Sequence, residues 1–202
     1  ENLAYATSTS PLGPWTYRGV IMPTQGASFT NHCGIIDFKG NSYLFYHNGA
    51  LPGGGGYKRS VCVEQFAYNA DGTFPTINMT TQGVTTPVIN LNPYNRVEAE
   101  TMAYESGIET NRDDKVGMYV DSINTGNYIK VRSVDFGEKG AAMFEASVAN
   151  SGKEARIELH IDKVNGTLVS TLPINYTEGK WKTEKAVVTN CSGVHELYLV
   201  FR

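Results

Sequence analysis

The side chains able to do chemistry in this sequence are few and widely spaced. His32 stands just before an apolar alternating run, and Arg59 stands just after four consecutive glycines, Gly53 to Gly56, at the entry to another. A histidine there can ligate a metal through a ring nitrogen, although a lone histidine at a strand start is most often a satisfied hydrogen-bonding group. A guanidinium offers planar, bidentate donation to hydroxyls or to a carboxylate. Glu98 and Glu100 share one face if Arg96-Val97-Glu98-Ala99-Glu100 is extended, with Val97 and Ala99 on the other. Two carboxylates on one face repel unless a cation lies between them. The pair therefore either holds calcium, a hard ion that takes about six to eight oxygens, or is merely solvated. Glu1, Asp37, Glu64 and Asp71, the acids preceding that pair, have no motif partner. They read as structural or solvated, and no acid and base pair for general catalysis is visible among them.

These residues need elements to hold them. Thr30 to Gly72 contains three alternating apolar runs, Ile35 to Phe38, Tyr43 to His47 and Ser60 to Tyr68, separated by Lys39-Gly40-Asn41 and by the glycine run. Short strands joined by Gly-rich turns predict an antiparallel meander. Leu3 to Ala6 and Trp15 to Ile21 predict two further strands around the turn Ser10-Pro11-Leu12-Gly13-Pro14. Trp15 reads as a core or packing aromatic, and Asp71-Gly72 as a hairpin signal. Thr73 to Val88 is rich in Thr and Pro, and Ile89 to Tyr94 has linker composition, so a domain boundary belongs near residue 90. Beyond it, Tyr128 to Val134, Met143 to Val148, Arg156 to Ile161, Leu168 to Leu172, Trp181 to Val188 and Glu196 to Phe201 are strand-like runs broken by close turn signals. That spacing predicts a sandwich of two sheets. Glu98 to Ser106 is the one helix candidate; lacking a cap, it reads as a strand entering a loop. The fold class is therefore all-β.

Composition narrows the partners. The 202 residues are 41% hydrophobic with 21 glycines, an ordinary soluble, turn-rich balance. A formal net charge of -3 without a basic run argues against nucleic acid. No apolar stretch approaches the roughly 20 residues of a membrane-spanning helix, which argues against a membrane partner. Cys33, Cys62 and Cys191 lack the spacing of a disulfide framework or a zinc site, and Cys62 reads as a buried small side chain. The sequence begins at Glu1 rather than Met, without the basic and apolar regions of a signal peptide, and stops inside strand-like Leu199 to Arg202. It reads as a piece of a longer polypeptide.

Two resemblances bear on function. Tyr5 to Trp15, Thr30-Asn31-His32, Tyr43 to Asn48 and Leu51 to Phe66 resemble, in order and spacing, the last blades of the five-bladed β-propeller of family 43 glycoside hydrolases. The similarity is to the arabinofuranosidase and xylosidase branch acting on arabinoxylan. It implies an incomplete propeller over residues 1–89, with His32 at the propeller axis near a bound metal ion and Arg59 at the floor of the sugar site. It also implies inversion by two carboxyl groups across the scissile bond. Those groups belong to earlier blades that are missing here, so the chain by itself is expected to be non-catalytic.

Arg96 to Thr110, Gly126 to Gly137, Ala155 to Pro173 and Ser192 to Phe201 resemble a family 6 carbohydrate-binding module, a jelly-roll β-sandwich, over residues 90–202. That resemblance implies Glu98 and Glu100 as carboxylates of a structural calcium. It implies Trp181 as one of two aromatics that grip a sugar; Ser122 occupies the place of the other, and Tyr119 is near enough to substitute. Stacking works because a pyranose face presents C–H bonds to a π cloud while amides read its hydroxyls. The family's last strand, which supplies a ligand-binding Asn and a calcium-binding Asp, is expected beyond Arg202. The implied partner is plant cell-wall polysaccharide, xylan or arabinoxylan, and the implied location secreted, periplasmic or cell-surface. Two other readings stay open: a stand-alone xylan-binding protein, and a calcium-stabilised interaction module whose open sheet edges pair with another chain.

Overall fold

The computed structural model describes residues 1–27, 29–152 and 154–202. They form two compact units, Glu1–Val88 and Ile89–Arg202. Among the described residues every helix or strand element is a β-strand, so the chain is all-β.

In the first unit β1 (Leu3–Thr7) and β2 (Thr16–Met22) pair antiparallel. The turn between them is closed by Gly13 N donating to Ser10 O at 3.0 Å. Strands β3 (Gly34–Phe38), β4 (Asn41–Asn48) and β5 (Ser60–Phe66) form the expected antiparallel meander. The small core is Leu3, Ile21, Met22, Leu44, Tyr46 and Ile77. Ile77 joins it because its N–H donates to Ile21 O at 2.7 Å, bringing the segment after β5 back onto β2.

Glu64 is buried in this unit, and a buried carboxylate needs donors. It has them in the Tyr46 hydroxyl at 2.9 Å and the Thr80 N–H at 2.7 Å. Burial first, and then this hydrogen bond, push the Tyr46 phenol well above its ordinary range. Asp37 accepts from the Ser42 hydroxyl at 2.6 Å.

Two local expectations are corrected. Trp15 is 60% exposed, because its ring lies against Gly13 at the turn and not in the core. Asp71-Gly72 does turn, with Gly72 N donating to Asn69 O and Asp71 Oδ1 capping Thr73 N. No strand follows it in this unit, so it closes a loop and not a hairpin.

The second unit contains β6 (Tyr104–Ser106), β7 (Glu109–Asp113), β8 (Gly117–Asp121), β9 (Tyr128–Asp135), β10 (Met143–Val148), β11 (Ala155–Ile161), β12 (Thr167–Ile174), β13 (Lys182–Val187) and β14 (Val194–Phe201). A five-stranded sheet runs β12-β11-β14-β9-β6, with β10-β13 and β7-β8 as separate pairs. Ser170 Oγ of β12 donates to Val187 O at 2.9 Å, and Thr189 N donates to Val169 O at 2.9 Å, tying β13 to the sheet edge. Ile129, Val134, Ile157, Leu159, Val169, Leu172 and Val188 lie in the buried cluster between them. Phe144, Ala146 and Val148 face it from β10, where alternate residues are exposed.

The segment of linker composition is stitched into this unit. Leu91 N donates to Ser133 O, Asp135 N to Leu91 O, and the Tyr94 hydroxyl to Phe136 O, at 2.9, 2.9 and 2.7 Å. Arg96 to Glu100 is not the strand that alternation suggested. Thr101 N donates to Glu98 O at 2.9 Å, so the chain turns there before the short β6.

Candidate functional site

The first unit brings two of the singled-out residues together on adjoining loops. Gly49 N donates to Gly26 O at 2.8 Å, which sets the segment after β4 beside the segment before β3. Across that seam Arg59 Nη1 donates to Thr30 Oγ1 at 2.6 Å. His32 Nδ1 lies 3.2 Å from Nε2 of His47, one ring donating and the other accepting. His47 Nδ1 is buried and makes no hydrogen bond among the described residues. Burial first, then the charges of Arg59 and His32, hold the His47 imidazole below its ordinary value. Sequence reasoning missed His47, although it ends the alternating run Tyr43 to His47, shortly before the glycine run.

The glycines fit the close packing here. A Cβ on Gly49 would strike the backbone of Gly55, and one on Gly54 the backbone of Gly49. A Cβ on Gly56 would collide with the ring of Phe29. Guanidinium and imidazole together can donate to hydroxyls. Glu64 and Asp37 are held in the local bonds described above and form no acid and base pair with them.

In the second unit Tyr119, in β8, and Trp181, just before β13, meet edge to face. Their ring centroids lie 5.3 Å apart with planes at 75°. Trp181 keeps 37% of its surface exposed. The loop carrying it is pinned by Thr177, which is almost fully buried. Thr177 N donates to Asn150 O at 2.9 Å, Asn150 N to Thr177 Oγ1 at 2.8 Å, and Lys180 N to Thr177 O at 3.0 Å. Asn111, the cross-strand partner of Tyr119, adds an amide whose Nδ2 donates to Asp121 Oδ2 at 3.2 Å. Ser122 follows β8 with a positive φ of 57°. An aromatic corner beside amide and carboxylate groups can take the apolar face of a sugar and read its hydroxyls.

Residues 98–202 match the family model of the carbohydrate binding module (family 6). This chain belongs to that family. A Clostridium cellulolyticum family 6 carbohydrate-binding module solved in complex with xylose superposes with a TM-score of 0.53 at 34% identity, covering 55% of this chain and 88% of that one. Over nearly its whole length the chain is also homologous to a family 43 hydrolase. The arabinoxylan arabinofuranohydrolase of Bacillus subtilis (strain 168) is 38% identical over 214 residues, 98% of this chain and 41% of the relative. A crystal structure of a family 43 arabinoxylan arabinofuranohydrolase from Bacillus subtilis, in complex with cellotetraose, superposes with a TM-score of 0.81, covering 99% of this chain and 44% of that one. The chain spans less than half the length of these relatives. It joins a family 43 hydrolase segment to a family 6 module.

Within the family 6 module the two carboxylates of the implied calcium site differ. Glu98 is exposed and takes a two-pronged contact from Arg96, Nε to Oε1 at 2.7 Å and Nη2 to Oε2 at 3.0 Å. Glu100 Oε2 is buried and has no hydrogen-bond partner among the described residues. Among the described residues no group of three or more His, Cys, Asp or Glu gathers around a common point. The orphaned Glu100 oxygen fits a hard cation, whereas Glu98 is engaged by Arg96.

Proposed function

We propose that this chain is the polysaccharide-gripping module, with adjoining scaffold, of an arabinoxylan-active hydrolase. The Tyr119–Trp181 corner carries the reading, because it leaves a large aromatic surface exposed at a loop edge of the sandwich. Trp181 stacks on a pyranose of xylan or arabinoxylan, and Tyr119 flanks it. The resemblance and the named relatives support an inverting arabinofuranosidase or xylosidase as the whole protein, with Arg59 contacting the substrate, in a propeller to which the first unit contributes blades. The chain alone is inert as a glycosidase; release of arabinose or xylose from an aryl glycoside would refute that. Affinity electrophoresis in xylan tests the module: Trp181→Ala abolishes the retardation shown by the parent chain, and unchanged retardation excludes Trp181 as the platform.

The same module is proposed to hold calcium through Glu100 and Glu98. The orphaned Glu100 oxygen supports it, since an unpaired buried carboxylate oxygen costs free energy that a cation offsets. Calcium at a hundredfold excess over its Kd then stabilises the module by about 2.7 kcal/mol. Thermal melts with calcium and with a chelator read this shift, and Glu100→Gln removes it. A chelator without effect on the parent chain would end the calcium reading.

A further inference from the structure

A pyranose held between two aromatic faces needs a van der Waals gap of about 3.5–4.0 Å on each side, so the rings must stand roughly 7–8 Å apart and nearly parallel. Tyr119 and Trp181 are closer and steeply inclined, with centroids 5.3 Å apart and planes at 75°. That is direct edge-to-face contact, and no sugar fits between the rings. Trp181 is exposed where Tyr119 is half-buried, so the ring surface left open belongs mainly to Trp181.

Trp181 precedes β13 on a loop, and other groups must fix its position. Glu178 and Gly179 have positive φ angles of 59° and 70°, and Lys180 N donates to Thr177 O at 3.0 Å across them. Two left-handed residues in succession make a primed turn, which a glutamate adopts only at a conformational cost. Asn150, two residues beyond β10, offsets that cost. Its carbonyl accepts from Thr177 N at 2.9 Å and from Gly179 N at 3.3 Å, and its N–H donates to Thr177 Oγ1 at 2.8 Å. Asn150 is itself braced, since its Oδ1 accepts from Gly152 N at 2.9 Å. Thr177 is only 1% exposed, so water does not replace its hydroxyl when that group is removed.

We infer, on the polysaccharide-binding reading above, that the module has one stacking face, Trp181, and two positioning residues that act through it. Tyr119 supports its ring, and Thr177 anchors its turn. This departs from the two-ring grip that the resemblance implies. The test uses the whole chain carrying Trp15→Phe, a change in the other unit that leaves Trp181 as the sole tryptophan. Acrylamide quenching and near-ultraviolet circular dichroism read the order of the Trp181 ring before sugar is added, and titration with linear β-1,4-xylotetraose reads affinity. Thr177→Val keeps the shape and removes the hydroxyl; it raises quenching in the sugar-free chain and weakens binding about fivefold, the worth of one hydrogen bond. Thr177→Ser restores both. Tyr119→Leu diminishes the near-ultraviolet band of the sugar-free chain, and its difference from the parent persists at saturating sugar because the rings stay in contact. Collapse of that difference on saturation means that the rings part to admit the sugar, and overturns the single face. A Thr177→Val chain that melts lower but keeps the parent's quenching and affinity overturns the anchor and leaves the module reading intact. A parent chain that does not bind overturns the module reading and these roles with it.

Discussion

Both units are built from antiparallel strands, but they differ in how they close. Among the described residues the second places a cluster of thirteen buried side chains between its sheet layers, whereas the first gathers six. Along β3 of the first unit every residue is exposed, including Ile35, Ile36 and Phe38, although its pairing with β4 runs the full length of the strand. In the propeller proposed above, the exposed face of β3 is a surface that further blades would cover, whereas the second unit closes on itself. Hydrogen bonds contribute modestly on a net basis, so stability follows the closure.

The largest test of that contrast separates the units. Residues 89–202 produced alone are expected to unfold in one cooperative thermal transition followed by circular dichroism, and residues 1–88 alone to melt at a lower midpoint and less sharply. An equal or higher midpoint for the shorter piece would remove the distinction. A smaller effect comes from matched truncations, because Leu172 and Leu44 are both fully buried. Leu172→Ala should cost about 2–5 kcal/mol in chemical denaturation of the whole chain, and Leu44→Ala should fall at the low end of that range, since an open neighbourhood relaxes more readily around a void. Equal losses would mean that the two cores are equally tight.

Acid gives the smallest and most selective effect. His47 in the first unit titrates below its ordinary value, so the unfolded chain takes up its proton first as pH falls. Its neutral form favours folding above about pH 6.5, and that contribution is lost below this value, toward the depressed folded value. Glu158 in the second unit is held below the usual carboxylate range by Arg156, against the effect of burial, with help from His160 and Arg202. Its contribution is present above the ordinary glutamate value of about 4.3 and is lost as pH falls through the depressed one. Mild acid therefore weakens the first unit before the second. Melting midpoints between pH 7 and pH 4 check the order, and His47→Gln should flatten the first step; a second unit that weakens first would reverse the sign.

The sequence was most legible where one face of a strand meets a core. Met143 to Val148 alternates in sequence and alternates in exposure, so periodicity found its limits. The pair β7 and β8 escaped notice because Glu109-Thr110-Asn111-Arg112-Asp113 contains no apolar residue and is mostly exposed. Arg96 to Glu100 misled for the opposite reason: alternation was present, but a local turn and the Arg96 contact won over extension. The aromatic corner could be named from family resemblance, yet neither residue's pattern revealed that Tyr119 would meet Trp181 on edge. His47, near the end of β4, was invisible as a partner because His32, the residue it meets, lies on a loop, where no periodicity operates.

The three thiols occupy three different environments. Cys191 is buried and Cys62 is half-buried in β5, and burial pushes both thiols above their ordinary value. Cys33 is exposed and adjoins His32 in sequence. A thiol-reactive fluorophore will therefore label the native chain at one address. That dye would be carried one residue along the chain from His32, without any engineered cysteine, and would report on changes near that loop.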